Sequence, residues 1–157
     1  MRWIVIGSVL FSACVKEQVM VSGNLDNNDA DYKGKYIVLE WTNPECPFVR
    51  KHYSSGNMQS LQKEWGGRDV VWLAINSTHA DHSEFKAPRE MSDWMRAQGA
   101  APAATLLDST SGTGRAYGAK TTPHMFVVDP AGKVVYAGAI DDKRSANPAD
   151  AKTAHNY

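Results

Sequence analysis

The stretch YIVLEWTNPECPFVRKHY, from Tyr36 to Tyr53, decides the fold. Its opening run, Tyr36 to Trp41, is β-branched, aliphatic and aromatic, and is bounded by Gly34 and by Asn43-Pro44. A run of that length between turn residues predicts a strand buried on both faces and excludes a helix. Cys46 then precedes Pro47, which suits a first helical position because its missing N–H has no partner to lose there. Phe48, Val49, Tyr53, Met58, Leu61 and Trp65 follow at roughly helical spacing. Ser54-Ser55-Gly56 is expected to bend or break that helix. The chain therefore sets a cysteine between the carboxyl end of a buried strand and the first turn of a helix.

Reading outward, Asp69 to Asn76 (DVVWLAIN) is a second buried strand, followed by a polar loop through His79 and His82. Pro88 to Gln98 is a short helix ended by Gly99. Ala104 to Leu107 is a third strand, and Gly112 to Tyr117 forms one or two helical turns. His124 to Asp129 and Lys133 to Ala137 flank Asp129-Pro130-Ala131-Gly132, whose proline and glycine suit a tight turn, so these segments form a β-hairpin. Upstream, the polar segment from Val15 to Lys33 offers only a weak strand signal at Gln18 to Val21. Strand, helix, strand, helix, strand and hairpin make an α/β fold with a central sheet of mixed direction, flanked by helices.

Composition narrows the class. The 157 residues carry 17 basic and 17 acidic side chains and only 2 cysteines. One domain is expected at that length, and zero net charge without a Lys/Arg run argues against a nucleic-acid partner. A disulfide framework is excluded, since two cysteines close at most one bridge. The other cysteine, Cys14, ends a stretch in which Arg2 is followed by the apolar Trp3 to Phe11 and by Ser12-Ala13. The apolar run is too short for a helix to cross a bilayer core, which takes about 20 residues. It is similar to a bacterial lipoprotein signal, which implies a signal peptide over residues 1–13 and a lipid anchor at Cys14. The expected order is then a loose lead-in over 14–30 and a domain over 31–157, held on the periplasmic side of the bacterial cell envelope. The alternative is a buried N-terminal strand.

A thiol at a helix N-terminus faces unpaired N–H groups and the positive end of the helix dipole, both of which favour the thiolate. Arg50, Lys51 and His52 are expected to add positive field, and Glu45 to oppose it. The plainer alternative for Cys46 is a small buried core residue. Trp41, five residues earlier, is a candidate shield for the thiol. His79 and His82 read as a solvated loop pair, so no metal site is expected. Trp72, Trp94 and Met95 read as core or helix-packing residues. Asp141-Asp142 with Lys143-Arg144 reads as a solvated turn, and Pro123, opening a strand, reads from spacing alone as structural.

The segments DYKGKY (from Asp31), EWTNPECPFVRKHY (Glu40 to Tyr53) and GAKTTPHMFVVDPAGKVVYAGAIDD (Gly118 to Asp142) together resemble thioredoxin-fold redoxins, the bacterial secreted members of the alkyl hydroperoxide reductase/thiol-specific antioxidant group. The resemblance implies that Cys46 is the nucleophile and that Thr122-Pro123 is a cis-proline loop packed against it. It implies that Thr42 assists catalysis, that Trp41, Pro47, Thr122 and Pro123 border the substrate, and that no cofactor is needed. A peroxide or disulfide would be the substrate, with an external thiol as reductant. Arg115 and Lys120 are candidates for the positive group near the thiolate. The chain departs from the family pattern at Val49, where a dithiol motif has its second cysteine, and at Asn43, where the peroxidase pattern has threonine. Asn147-Pro148-Ala149-Asp150 reads as the N-cap and first turn of a truncated C-terminal helix. Thiol–disulfide exchange, a copper carrier lacking its first cysteine at Thr42, and a non-catalytic binding module are the alternatives.

Overall fold

The computed structural model describes residues 20–22, 32 and 34–157. The expected signal segment, Cys14 and most of the expected lead-in lie outside the described residues. The elements are β1 (Met20–Ser22), β2 (Ile37–Trp41), α1 (Pro47–Ser54), α2 (Asn57–Gly66), β3 (Val71–Asn76), α3 (Pro88–Ala97), β4 (Ala104–Leu107), α4 (Gly112–Tyr117), β5 (His124–Val128), β6 (Val134–Gly138) and α5 (Pro148–Ala151). The strands form one six-stranded sheet in the order β1-β4-β3-β2-β5-β6. Strands β2, β3 and β4 run parallel, while β1, β5 and β6 pair antiparallel to their neighbours, so the sheet is mixed as expected.

Strand β2 is central, pairing with β3 on one side and β5 on the other, and all five of its residues are buried. Alternation sends Ile37, Leu39 and Trp41 to one face, where they pack with Leu73, Ile75, Leu106, Phe126 and Val128. Val38 faces the other side, where α1, α2 and α3 contribute Val49, Tyr53, Met58, Met91 and Met95. Burial of each such side chain stabilises the fold by roughly 1.5–3 kcal/mol, so two covered faces hold the sheet without a disulfide. Trp72 and Met95 are core residues as expected, and Trp94 packs edge-on against Tyr53 with ring centroids 4.8 Å apart.

The helix after Cys46 does break where predicted, because Gly56 adopts φ +79° between α1 and α2. The hairpin turn also forms: the Gly132 N–H donates to the Asp129 carbonyl at 2.9 Å, and Asp129 Oδ1 accepts from the N–H groups of Ala131 and Lys133. Two expectations need correction. Strand β3 starts at Val71 and not at Asp69, because Asp69 sits at φ +62° in a turn, its carboxylate bound by Lys35 Nζ at 2.8 Å. The Asp141 to Arg144 segment is not wholly solvated, since Asp141 is buried and accepts from Lys51 Nζ at 2.6 Å. Helix α5 begins where the Asn147 cap was read, with Asn147 Oδ1 accepting from the Ala149 N–H at 3.1 Å. Among the described residues no helix is long and apolar enough to cross a membrane.

Candidate active site

Asn43 builds the turn that delivers the cysteine. Its side-chain oxygen accepts from the Glu45 N–H at 2.8 Å and its carbonyl from the Cys46 N–H at 3.1 Å, with Pro44 preset for the turn. Its amide donates to Thr78 Oγ1 and Glu84 Oε2, both at 3.1 Å, tying the end of β2 to the loop after β3. Cys46 is therefore the N-cap of α1, Pro47 its first residue, and no side chain caps the helix. The Phe48 and Val49 N–H groups belong to the first turn, where no earlier helical carbonyl can reach them.

The second half of the site comes from the far end of the sequence. The Thr122-Pro123 peptide is cis. Cys46 Sγ, half-buried, donates to the Thr122 carbonyl oxygen at 3.0 Å. Residues 76 positions apart are thereby joined just before β5, antiparallel to β2, with His124 opposite Trp41 in register. Pro47 and Phe48 are exposed beside the sulfur in sequence, Phe48 at 42%.

The remaining predicted site residues separate. Thr42 is 1% exposed, with its hydroxyl turned to the buried Glu40 carboxyl. Trp41 does not cover the thiol: alternation puts it on the opposite face, packed on Tyr117 and Phe126, with its indole N–H donating to Ser77 Oγ at 3.0 Å. The expected cationic field also needs revision. Arg50 donates to the Pro44 carbonyl and pairs with Glu45, whereas Lys51 and His52 are buried and engage Asp141. Lys86 binds Glu45 as well, and its ammonium, helped by Arg50, holds that carboxyl below the usual range. Arg115 and Lys120 line a cleft that begins at Thr42 and Thr122 and extends away from the sulfur. His79 and His82 accept backbone N–H bonds within their own loop, from Asp81 and Glu84. Among the described residues no cluster of three or more His, Cys, Asp or Glu is arranged to hold a metal ion.

One group on the thiol's face escaped the sequence reading. Glu40 is fully buried; its carboxylate accepts from the Tyr53 hydroxyl (2.8 Å), the Trp72 indole (2.8 Å) and the Gln62 amide (3.3 Å). Burial raises its pKa, and hydrogen bonds from Trp72, Tyr53, Gln62 and the Thr42 hydroxyl oppose that rise without cancelling it. Its signal was a single acid inside a run expected to be buried on both faces.

A mixed sheet with helices on it, a cysteine capping the helix after its central strand, and a cis-proline loop touching that sulfur define a thioredoxin-fold redoxin. The chain belongs to the AhpC/TSA family, whose model matches residues 21–137. An uncharacterized conserved protein from Geobacillus kaustophilus superposes with TM-score 0.67 at 28% identity, over 76% of this chain and 61% of that one. A thiol-disulfide isomerase from Corynebacterium glutamicum superposes with TM-score 0.64 at 18% identity, covering 88% of this chain and 91% of that one. The exposed lipoprotein thioredoxin of Streptococcus pneumoniae gives TM-score 0.54 at 21% identity, with 79% and 88% covered. The last two similarities are of fold. Nitrous-oxide reductase of Pseudomonas fluorescens is 46% identical over 48 residues, which span 31% of this chain and 7% of that protein.

Proposed function

We propose that this protein is a one-cysteine thiol oxidoreductase that reduces peroxides at Cys46. The observation that carries the reading is the contact of Cys46 Sγ with the Thr122 carbonyl at the start of α1. The Cys46 thiolate attacks one peroxide oxygen, an S–O bond forms as the O–O bond breaks, and the departing oxygen takes a proton to leave as an alcohol or water. Sulfur becomes a sulfenic acid, oxidised by two electrons. The unpaired N–H groups of the first helical turn are backbone donors for the charge that develops on oxygen, and Thr42, at the end of β2, adds a hydroxyl. With Val49 where a second thiol would stand, recovery uses an external thiol. One thiol condenses with the sulfenic acid, releasing water and leaving a mixed disulfide; a second attacks that disulfide and restores Cys46.

Thiol–disulfide exchange is the second reading. It is favoured by Thr122, whose peptide beside the sulfur offers backbone groups to an extended substrate. The family, the fold of the thiol-disulfide isomerase and the placement of the sulfur support redox chemistry in both readings. Peroxide consumption with dimedone labelling of Cys46, both lost in Cys46→Ser, is the expected result. Insulin reduction or captured mixed disulfides without peroxide turnover would shift the assignment to exchange. Cys14 as a lipid anchor in the cell envelope belongs to the same proposal; the lipoprotein thioredoxin of similar fold is consistent with it.

A further inference from the structure

The turn that carries the sulfur, Asn43 to Cys46, is fastened to a loop that the proposed chemistry does not use. That loop, residues 77–87, follows β3. Thr78 Oγ1 and Glu84 Oε2 each accept from the Asn43 amide at 3.1 Å, and Lys86 Nζ binds Glu45 Oε1 at 3.1 Å. Asn43 thus gives its N–H donors to the loop, while its side-chain oxygen accepts from the Glu45 N–H at 2.8 Å. Only one orientation of the amide meets these demands. Turned over, it would set N–H against the Glu45 N–H and oxygen against the Glu84 carboxylate, donor facing donor and acceptor facing acceptor. The loop therefore decides which way Asn43 points, and Asn43 decides where the Glu45 peptide lies.

The loop is itself shaped to aim these groups. Asn76, buried at the end of β3, accepts the Thr78 N–H through Oδ1 at 2.8 Å, so the chain leaves the strand in a fixed direction. His82 Nδ1 accepts the Glu84 N–H at 3.1 Å, and the His82 N–H donates to the His79 carbonyl at 3.0 Å. The histidine pair of the sequence thus has a local task, the placing of Glu84. On the helix side of the turn, Arg50 Nε holds the Pro44 carbonyl at 2.7 Å. Beyond the turn the sulfur meets the Thr122 carbonyl at 3.0 Å.

We propose that Glu84 is a positioning residue for Cys46: by holding the Asn43 amide it keeps the turn that sets the sulfur against the Thr122 loop. The inference rests on the thiol reading of Cys46 and adds a group, 41 residues from Asn43, that acts through another side chain. Without that hold the turn samples orientations in which the sulfur is out of register, and the rate falls with the competent fraction. Glu84 acts here as a hydrogen-bond acceptor and not as a charge. A negative charge near a thiol disfavours the thiolate, so removing the charge alone speeds the reaction, whereas removing the acceptor slows it.

The test separates acceptor from charge on the full chain. Glu84→Ala removes both; Glu84→Gln removes the same charge and keeps an oxygen for the Asn43 amide. Second-order rates of Cys46 are measured by mass spectrometry with hydrogen peroxide, as dimedone-trapped sulfenate, and with hydroxyethyl disulfide, as mixed disulfide. Glu84→Ala should react about fivefold more slowly than Glu84→Gln, the scale of one hydrogen bond. Asn43→Ser keeps an oxygen for the Glu45 N–H and removes the amide; in that background the two Glu84 variants should react alike. Equal rates for Glu84→Ala and Glu84→Gln in the otherwise wild-type chain, or a difference that survives Asn43→Ser, would overturn the positioning role and leave the thiol reading intact. A wild-type Cys46 that reacts with neither peroxide nor disulfide would overturn both.

Discussion

Cys46 and Glu40 show how differently two residues of one segment can be read from sequence. The cysteine announced itself, because a thiol before proline at a strand–helix junction has few structural uses. The glutamate did not, since nothing in the local pattern says which distant donors will meet it. Tyr53, Trp72 and Gln62 arrive from α1, β3 and α2, and together they make a buried carboxyl tolerable. Burial raises the pKa of Glu40 above its ordinary value of 4.5, so the folded state holds its proton to higher pH than the unfolded chain does. Its stabilising contribution is complete below that ordinary value and is lost as pH rises through the raised one. Glu40→Gln keeps the shape and removes the titration. In urea unfolding, wild type should lose stability relative to Glu40→Gln as pH is raised from 5 to 9, whereas a difference that does not change with pH would mean an ordinary carboxyl.

At the scale of elements, α1 is gripped at both ends. Its start carries Cys46, and its last turn is fastened to the segment after β6. Lys51 Nζ reaches Asp141 Oδ2 at 2.6 Å and the Lys143 carbonyl at 3.0 Å, both ionic side chains being at least nine-tenths buried. Breaking such a pair leaves a buried charge uncompensated, which costs about 3–5 kcal/mol. Beside it, the Asn57 amide lies 3.0 Å from His52 Nδ1, and Asn57 exchanges amide bonds with Asn156. With Nδ1 accepting from Asn57, the neutral ring carries its proton on Nε2, 3.7 Å from Asp141. Burial outweighs that carboxylate and lowers the His52 pKa from 6.5 to about 4. The unfolded chain therefore takes up the proton first as pH falls, and stability is lost across the interval from 6.5 towards 4. The loss is on the order of 3 kcal/mol. His52→Gln should flatten this part of the pH–stability curve, measured by thermal or urea midpoints; an unchanged slope would place the acid sensitivity elsewhere.

For the whole molecule, the sheet order is what makes a site. Strand β5 returns antiparallel beside β2, so the loop before it meets the turn after β2, and the thiol gains a wall that α1 cannot supply. The proposed anchor belongs to this scale too. Cells expressing the chain should place it in the detergent phase on Triton X-114 partitioning, and Cys14→Ser should move it to the aqueous phase; an unanchored wild type would end that part of the proposal. The sequence by itself determined the strands, the helix break at Gly56, the hairpin turn and the identity of Cys46, because hydrophobic period and turn chemistry act between near neighbours. Only the tertiary structure decided which charges face one another. Lys51 and His52 point to Asp141 instead of the thiol, Trp41 turns to the opposite face, and Arg115 and Lys120 border Thr122. The physical reason is that pairing and burial depend on which surfaces the packed sheet brings together, over separations such as the 90 residues from Lys51 to Asp141.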